Sequence, residues 1–165
     1  MKKIALFLGL LGLAGCGPKV PPDLPKCYPC QISVIQAGAP LVDAAVTLQS
    51  PEVGQRWFPM GTTDQTGTAV MFTNGRYPGA PAGVYKVLVF KGTSEPSRFG
   101  PSPPEDSPAY QTWLERTSHE NLAEYIVVEL QYNDAKQTPH EIEVKSKGKN
   151  EMTIDVGQAV KIRIP

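Results

Sequence analysis

The sequence has only two histidines and three cysteines in 165 residues. A zinc centre takes four ligands, and His119 and His140 carry no metal-type spacing, so neither a metal site nor a cofactor is expected. Charge of one sign is also missing, because 16 Lys and Arg balance 16 Asp and Glu. That balance leaves no electrostatic footprint for nucleic acid and no polybasic stretch to add headgroup attraction. The Leu-rich run Ile4 to Leu13 is far shorter than the ~20 residues of a spanning helix. No Gly-x-Ser-x-Gly elbow occurs, and Asp64 alone does not make the six to eight oxygens of a calcium site. No enzyme is expected. Proline and glycine, at 17 and 15, are plentiful, and they favour turns and short strands over long helices.

The N-terminus has the layout of an export signal. Lys2 and Lys3 form a positive start and Ile4 to Leu13 the apolar run. Leu13-Ala14-Gly15-Cys16 resembles the bacterial lipobox, which implies cleavage after residue 15 and acylation of Cys16. Two or more acyl chains hold a protein stably at a bilayer, one only marginally. The expected partners are therefore the membrane, through this anchor, and an envelope protein or glycan; the expected location is the cell envelope. Gly17 after the lipid cysteine, where aspartate would signal retention, points to the outer membrane by analogy. Residues 16–30 read as the lipidated cysteine and a stiff proline-rich spacer, since prolines at 18, 21, 22 and 25 cannot enter a sheet interior.

Removing the signal leaves about 150 residues, one ordinary domain. Short alternating segments separated by turn residues predict an all-β, antiparallel β-sandwich of prealbumin or immunoglobulin type over 31–165, with seven to nine strands. Ala44, Val46 and Leu48 alternate with polar positions, which predicts one wet and one buried face. Arg56 to Thr62 and Thr68 to Thr73 flank Asp64-Gln65-Thr66-Gly67 and read as a hairpin, with Trp57 or Phe58 in the core and Pro59 making an edge strand. Val84 to Lys91 is the strongest strand pattern and is expected to be central. Ile126 to Tyr132 reads as extended, and Glu141–Lys145 with Glu151–Val156 as a second hairpin. Ala159 to Ile164 is a last strand.

Residues 92–125 form an insert. Ser107-Pro108 is a helix start, serine capping and proline in the first turn. Tyr110, Trp113, Leu114 and Thr117 fall on one helical face, joined by Leu122 and Tyr125 if the helix continues, and that face is expected to pack on the sandwich. Left exposed, Tyr110, Trp113 and Arg116 would be the binding contacts, since aromatic and arginine side chains make good anchors.

With Cys16 acylated, Cys27 and Cys30 remain as an even pair in an oxidising compartment, and a disulfide between them is expected. A thiol–disulfide redox role for Cys27-Tyr28-Pro29-Cys30 is the alternative function. The helix N-terminus that activates such thiols is not predicted there. A hydrolase, requiring His119 or His140 beside a serine and an acid, is a more distant alternative.

Three stretches carry a family resemblance: Gln36-Ala37-Gly38-Ala39-Pro40-Leu41-Val42-Asp43-Ala44-Ala45-Val46, Gly61-Thr62-Thr63-Asp64-Gln65-Thr66-Gly67, and Gly79-Ala80-Pro81-Ala82-Gly83-Val84-Tyr85-Lys86-Val87. In pattern and spacing they resemble the carboxypeptidase regulatory-like, or transthyretin-like, β-sandwich domains. Tyr132 to Asp134, Thr138-Pro139, Glu143-Val144 and Asn150 to Asp155 resemble the later half of exported lipoproteins with that domain. Asp43 stands where the family usually has glycine, and Thr68-Ala69-Val70 where it often has an aromatic. The resemblance implies a noncatalytic accessory sandwich.

Overall fold

The computed structural model describes residues 20–51 and 56–164. The export signal, Cys16 and residues 52–55 of the expected turn lie outside them. None of the helices among the described residues is long and apolar enough to cross a membrane.

The chain is all-β with one short α-helix, as the alternation predicts. After the stalk come β1 (Cys27–Tyr28), β2 (Cys30–Gln36), β3 (Ala39–Pro40) and β4 (Ala45–Gln49). The central hairpin is β5 (Pro59–Thr62) with β6 (Thr68–Val70) and β7 (Phe72–Thr73); β8 (Tyr77–Pro78) and β9 (Ala80–Pro81) lead into β10 (Gly83–Phe90). The insert runs from β11 (Gly92–Ser94) through α1 (Pro108–Thr117) to β12 (Glu124–Ile126). A 3-10 turn at Leu130–Asn133 precedes β13 (Glu141–Val144), β14 (Asn150–Asp155) and β15 (Ile162–Arg163).

The largest sheet has the order β13-β10-β4-β5-β7-β8, a second joins β14, β2 and β3, with β6 also on β2, and two small sheets pair β1 with β9 and β12 with β11 and β15. Strand alternation sends Val46, Leu48, Tyr85, Val87, Val89, Ile142 and Val144 inward from the first sheet, and Ile32, Val34, Ala69 and Ile154 from the second. They meet in one hydrophobic core with Met71, Val128 and Val156. The buried face predicted for Ala44, Val46 and Leu48 is there, and β10 lies between β4 and β13, inside its sheet.

The hairpin predicted around Asp64 also forms, Met60 opposing Phe72 and Pro59 opposing Thr73. Its turn is built by Asp64, whose Oδ1 accepts from the amides of Thr66 and Thr68 at 2.8 and 3.0 Å, and by Gly67 at φ +76°. The returning strand changes sheets midway: β6 pairs with β2 and β7 with β5. The strands approach so closely that a Cβ at Gly61 would lie 2.5 Å from the Val70 carbonyl oxygen.

Several expectations need correction. Pro59 does not mark an edge, since β5 lies between β4 and β7; proline is tolerated because it is the strand's first residue. The buried residue there is Pro59, while Phe58 is 40% exposed and Trp57 half-buried. Glu141–Lys145 and Glu151–Val156 do not form a hairpin. β13 pairs antiparallel with β10, and β14 runs parallel to β2, so the sandwich is not purely antiparallel. Alternation specifies the inward face of each strand but not its neighbour. The buried Asn150 side chain bridges the divergence, accepting from the Lys145 amide at 2.8 Å and donating to the carbonyls of Lys145 and Pro29 at 3.1 and 3.0 Å. Ile126 to Tyr132 ends in a 3-10 turn, and the last strand shortens to β15.

Candidate functional site

The first two strands and the insert hold the candidate residues. Cys27 in β1 and Cys30 in β2 are not in the spacer expected over 16–30 but in the sheets, and they are free thiols, contrary to the expected disulfide. The cause is backbone geometry: each sits in extended structure, and three extended residues span about 10 Å, beyond the roughly 7 Å limit for bridged Cα atoms. Their strands also part, since β1 pairs with β9 and β2 with β14 and β6. The Cys27 Sγ lies 3.4 Å from Thr73 Oγ1. Cys30 points into the core at 2% exposure, and burial pushes its thiol up to about 11. A buried, protonated sulfur neither attacks nor leaves readily.

The insert is held at its base by a small sheet: β11 pairs antiparallel with β12, and β12 with β15. Its helix starts where the sequence predicts, with the Ser107 hydroxyl accepting from the Ala109 amide and Pro108 in the first turn. It ends at Thr117, so Leu122 and Tyr125 are not on it; Tyr125 belongs to β12. The expected burial against the sandwich does not occur, for no residue of α1 is buried. The helix packs instead on its own loop. Tyr110 and Trp113 stack at 6.3 Å with ring planes 14° apart, and Trp113 Nε1 donates to the Gly100 carbonyl at 3.2 Å. Arg116 is exposed in the last turn, where a cation complements the helix dipole.

A residue the sequence did not single out holds this loop together. Glu120, its side chain 5% exposed, accepts from the Ser97 hydroxyl at 2.5 Å and the Arg98 amide at 3.2 Å, and pairs with Arg98 Nε at 3.3 Å. The Arg98 guanidinium in turn covers the Phe99 ring at 4.8 Å. No spacing rule links Ser97 to Glu120, because loop geometry alone brings them together. Beside the insert's return leg, an open cleft of about 470 Å³ is lined by Asn121, Leu122, Ala123, Glu124, Arg163 and Ile164.

The histidines lie apart. His119 is exposed just past the helix, while His140 stacks on Tyr132 at 5.6 Å with Nε2 3.0 Å from the Asp155 carbonyl. Among the described residues, no three His, Cys, Asp or Glu side chains are grouped to hold a metal ion. No protein-family model matches the chain, and neither does any curated protein or solved structure.

Proposed function

We propose that this chain is a lipid-anchored, noncatalytic β-sandwich of the bacterial cell envelope, held at the outer membrane through Cys16, that presents residues 92–125 to an envelope protein or glycan. The observation that carries the reading is Leu13-Ala14-Gly15-Cys16 directly after a short apolar run. The binding role rests on the insert: Glu120 and Trp113 fix its loop and helix in one arrangement, so Tyr110 and Arg116 stand on a surface ordered before any partner arrives. The adjoining cleft is within the size range of small-ligand sites.

A carboxypeptidase regulatory-like ancestry belongs to the same proposal. Asp43, standing where that family has glycine, has φ +53°, the left-handed conformation glycine adopts without strain. The Cys27–Cys30 redox reading gains no support from the buried Cys30 thiol.

Two measurements test the proposal. Mass spectrometry of the processed chain is expected to show acyl groups on Cys16, and Cys16→Ser to leave the membrane fraction. Crosslinking in intact envelopes from a photoreactive residue at position 116 is expected to give one discrete adduct, abolished by Tyr110→Ala. An unmodified Cys16 sulfur overturns the tether; adducts unaffected by Tyr110→Ala overturn the insert's role.

A further inference from the structure

The outer face of the central hairpin exposes a run of large apolar side chains. On β5 and the residues before it, Phe58 and Met60 point outward; on the returning strand, Val70 and Phe72 do the same. All four are 37–50% exposed. Met60 opposes Phe72 directly, and Phe58 meets Asn74 through two hydrogen bonds, its amide donating to the side-chain Oδ1 of Asn74 and its carbonyl accepting from the Asn74 amide. Singly exposed apolar residues are ordinary. Phe58 and Met60, with Phe72 of the paired β7 and Val70 of β6 beside Gly61, make a patch of the kind that contacts something.

The surroundings of the patch identify the occupant. At its end the Arg56 guanidinium lies 5.0 Å from the Trp57 ring, and Trp57 meets Tyr77 edge-on at 6.4 Å. Arg76, also exposed, precedes Tyr77. Trp, Tyr and Arg flanking an apolar surface is the chemistry of a membrane interface, with rings at headgroup depth and cations on phosphates. Arg56 is ion-paired with Asp23 of the stalk, and an exposed pair of this kind holds its guanidinium only weakly. The same pair fixes where the stalk runs. Asp23 is seven residues from Cys16, at most about 25 Å of chain, and β1 lies alongside β8 at this end of the body. A second copy packed face to face would oppose its own Arg56 and Arg76, a like-charge arrangement that costs affinity.

We infer that the outer face of the hairpin, Phe58, Met60, Val70 and Phe72 with Trp57, Arg56 and Arg76 at its margin, rests on the anionic bilayer surface. The body then lies against the membrane near its anchor. The geometry of this contact rests on the tether proposed above, which places a bilayer within reach.

The test uses the full acylated chain carrying Trp113→Phe, so that Trp57 is its sole tryptophan. It is reconstituted at excess lipid in phosphatidylethanolamine–phosphatidylglycerol vesicles, with and without bromine on the acyl carbons nearest the headgroup. Trp57 emission is expected to shift to shorter wavelength and to be quenched by the bromine. Adding Phe58→Asp and Phe72→Asp, both at exposed positions, is expected to abolish both effects without altering the far-ultraviolet circular dichroism. Emission indifferent to bromine, with Cys16 shown by mass to be acylated, overturns the contact and leaves the tether standing. An unacylated Cys16 overturns the tether, and quenching at excess lipid still decides the contact either way. Self-association abolished by the same two substitutions, without quenching, assigns the face to a second copy and overturns the contact.

Discussion

The Ser97 hydroxyl donates to Glu120 Oε2 at 2.5 Å, joining positions 23 apart across the base of the insert. The same carboxylate also takes the Arg98 amide and Nε, so three donors converge on one nearly buried group. Glu120→Ala is expected to accelerate amide exchange in residues 97–118 by about ten- to a hundredfold, from hydrogen bonds to a charged group worth about 1.5–3 kcal/mol. Core amides should be unaffected, because α1 buries no residue. Exchange mass spectrometry would contradict this if protection fell evenly over the chain.

Asn150 makes a different kind of link, satisfying Lys145 on both sides of its peptide and the Pro29 carbonyl from a position 4% exposed. Asn150→Leu strands these groups and is expected to cost about 1–3 kcal/mol. Urea unfolding measures it. A midpoint equal to the wild type would mean that water replaces the amide.

The two thiols should differ in reactivity. Native protein at pH 8 is expected to take one iodoacetamide label, on Cys27, and both only after unfolding, because burial keeps the Cys30 thiol at about 11. Peptide mapping reads the labels directly. Rapid native modification of Cys30 would revive the redox alternative.

Asp43 holds φ +53° while its amide bonds the Thr63 carbonyl. Asp43→Val is expected to lower stability by about 1–2 kcal/mol, because a β-branched side chain is far more strained in left-handed backbone than aspartate. Asp43→Gly should stay within about 1 kcal/mol of wild type, strain relief offsetting chain entropy. Thermal unfolding of the pair distinguishes backbone strain from loss of the carboxylate.

Asp64 and Asp134 predict the acid response. Hydrogen bonds from the Thr66 hydroxyl and the Thr68 and Thr66 amides lower the Asp64 pKa, and the Lys136 amide and Gln137 side chain lower that of Asp134. Because the folded values lie below the unfolded one, about 3.9, the stabilisation is full above that pH and is lost as pH falls through the lowered values. The melting temperature should therefore drop on acidification below about pH 4, and more shallowly in Asp64→Asn/Asp134→Asn. Parallel curves for the two proteins would remove these carboxylates from the account.

Where local chemistry decides the outcome, the sequence was legible. The Asp64–Gly67 turn and the Ser107-Pro108 helix start are short-range devices, and both form where their residues predict. Alternation placed Ala44, Val46 and Leu48 inside. Partner choice was not legible, because β13 and β14 have the pattern of a hairpin whether or not they pair with each other. Helical spacing at Tyr110 and Trp113 likewise specifies a shared face but not what it meets, which proved to be the loop at Gly100. Glu120 left no signal, since its three donors come from a proline-rich excursion without period.

The parallel register of β2 and β14 sets Cys30 beside Asn150, two residues far apart along the chain. That ladder closes a loop of well over a hundred residues, and such closures slow folding. Under the proposed export from the N-terminus, β2 crosses long before its parallel partner, so this ladder closes only after Asn150–Asp155 has followed.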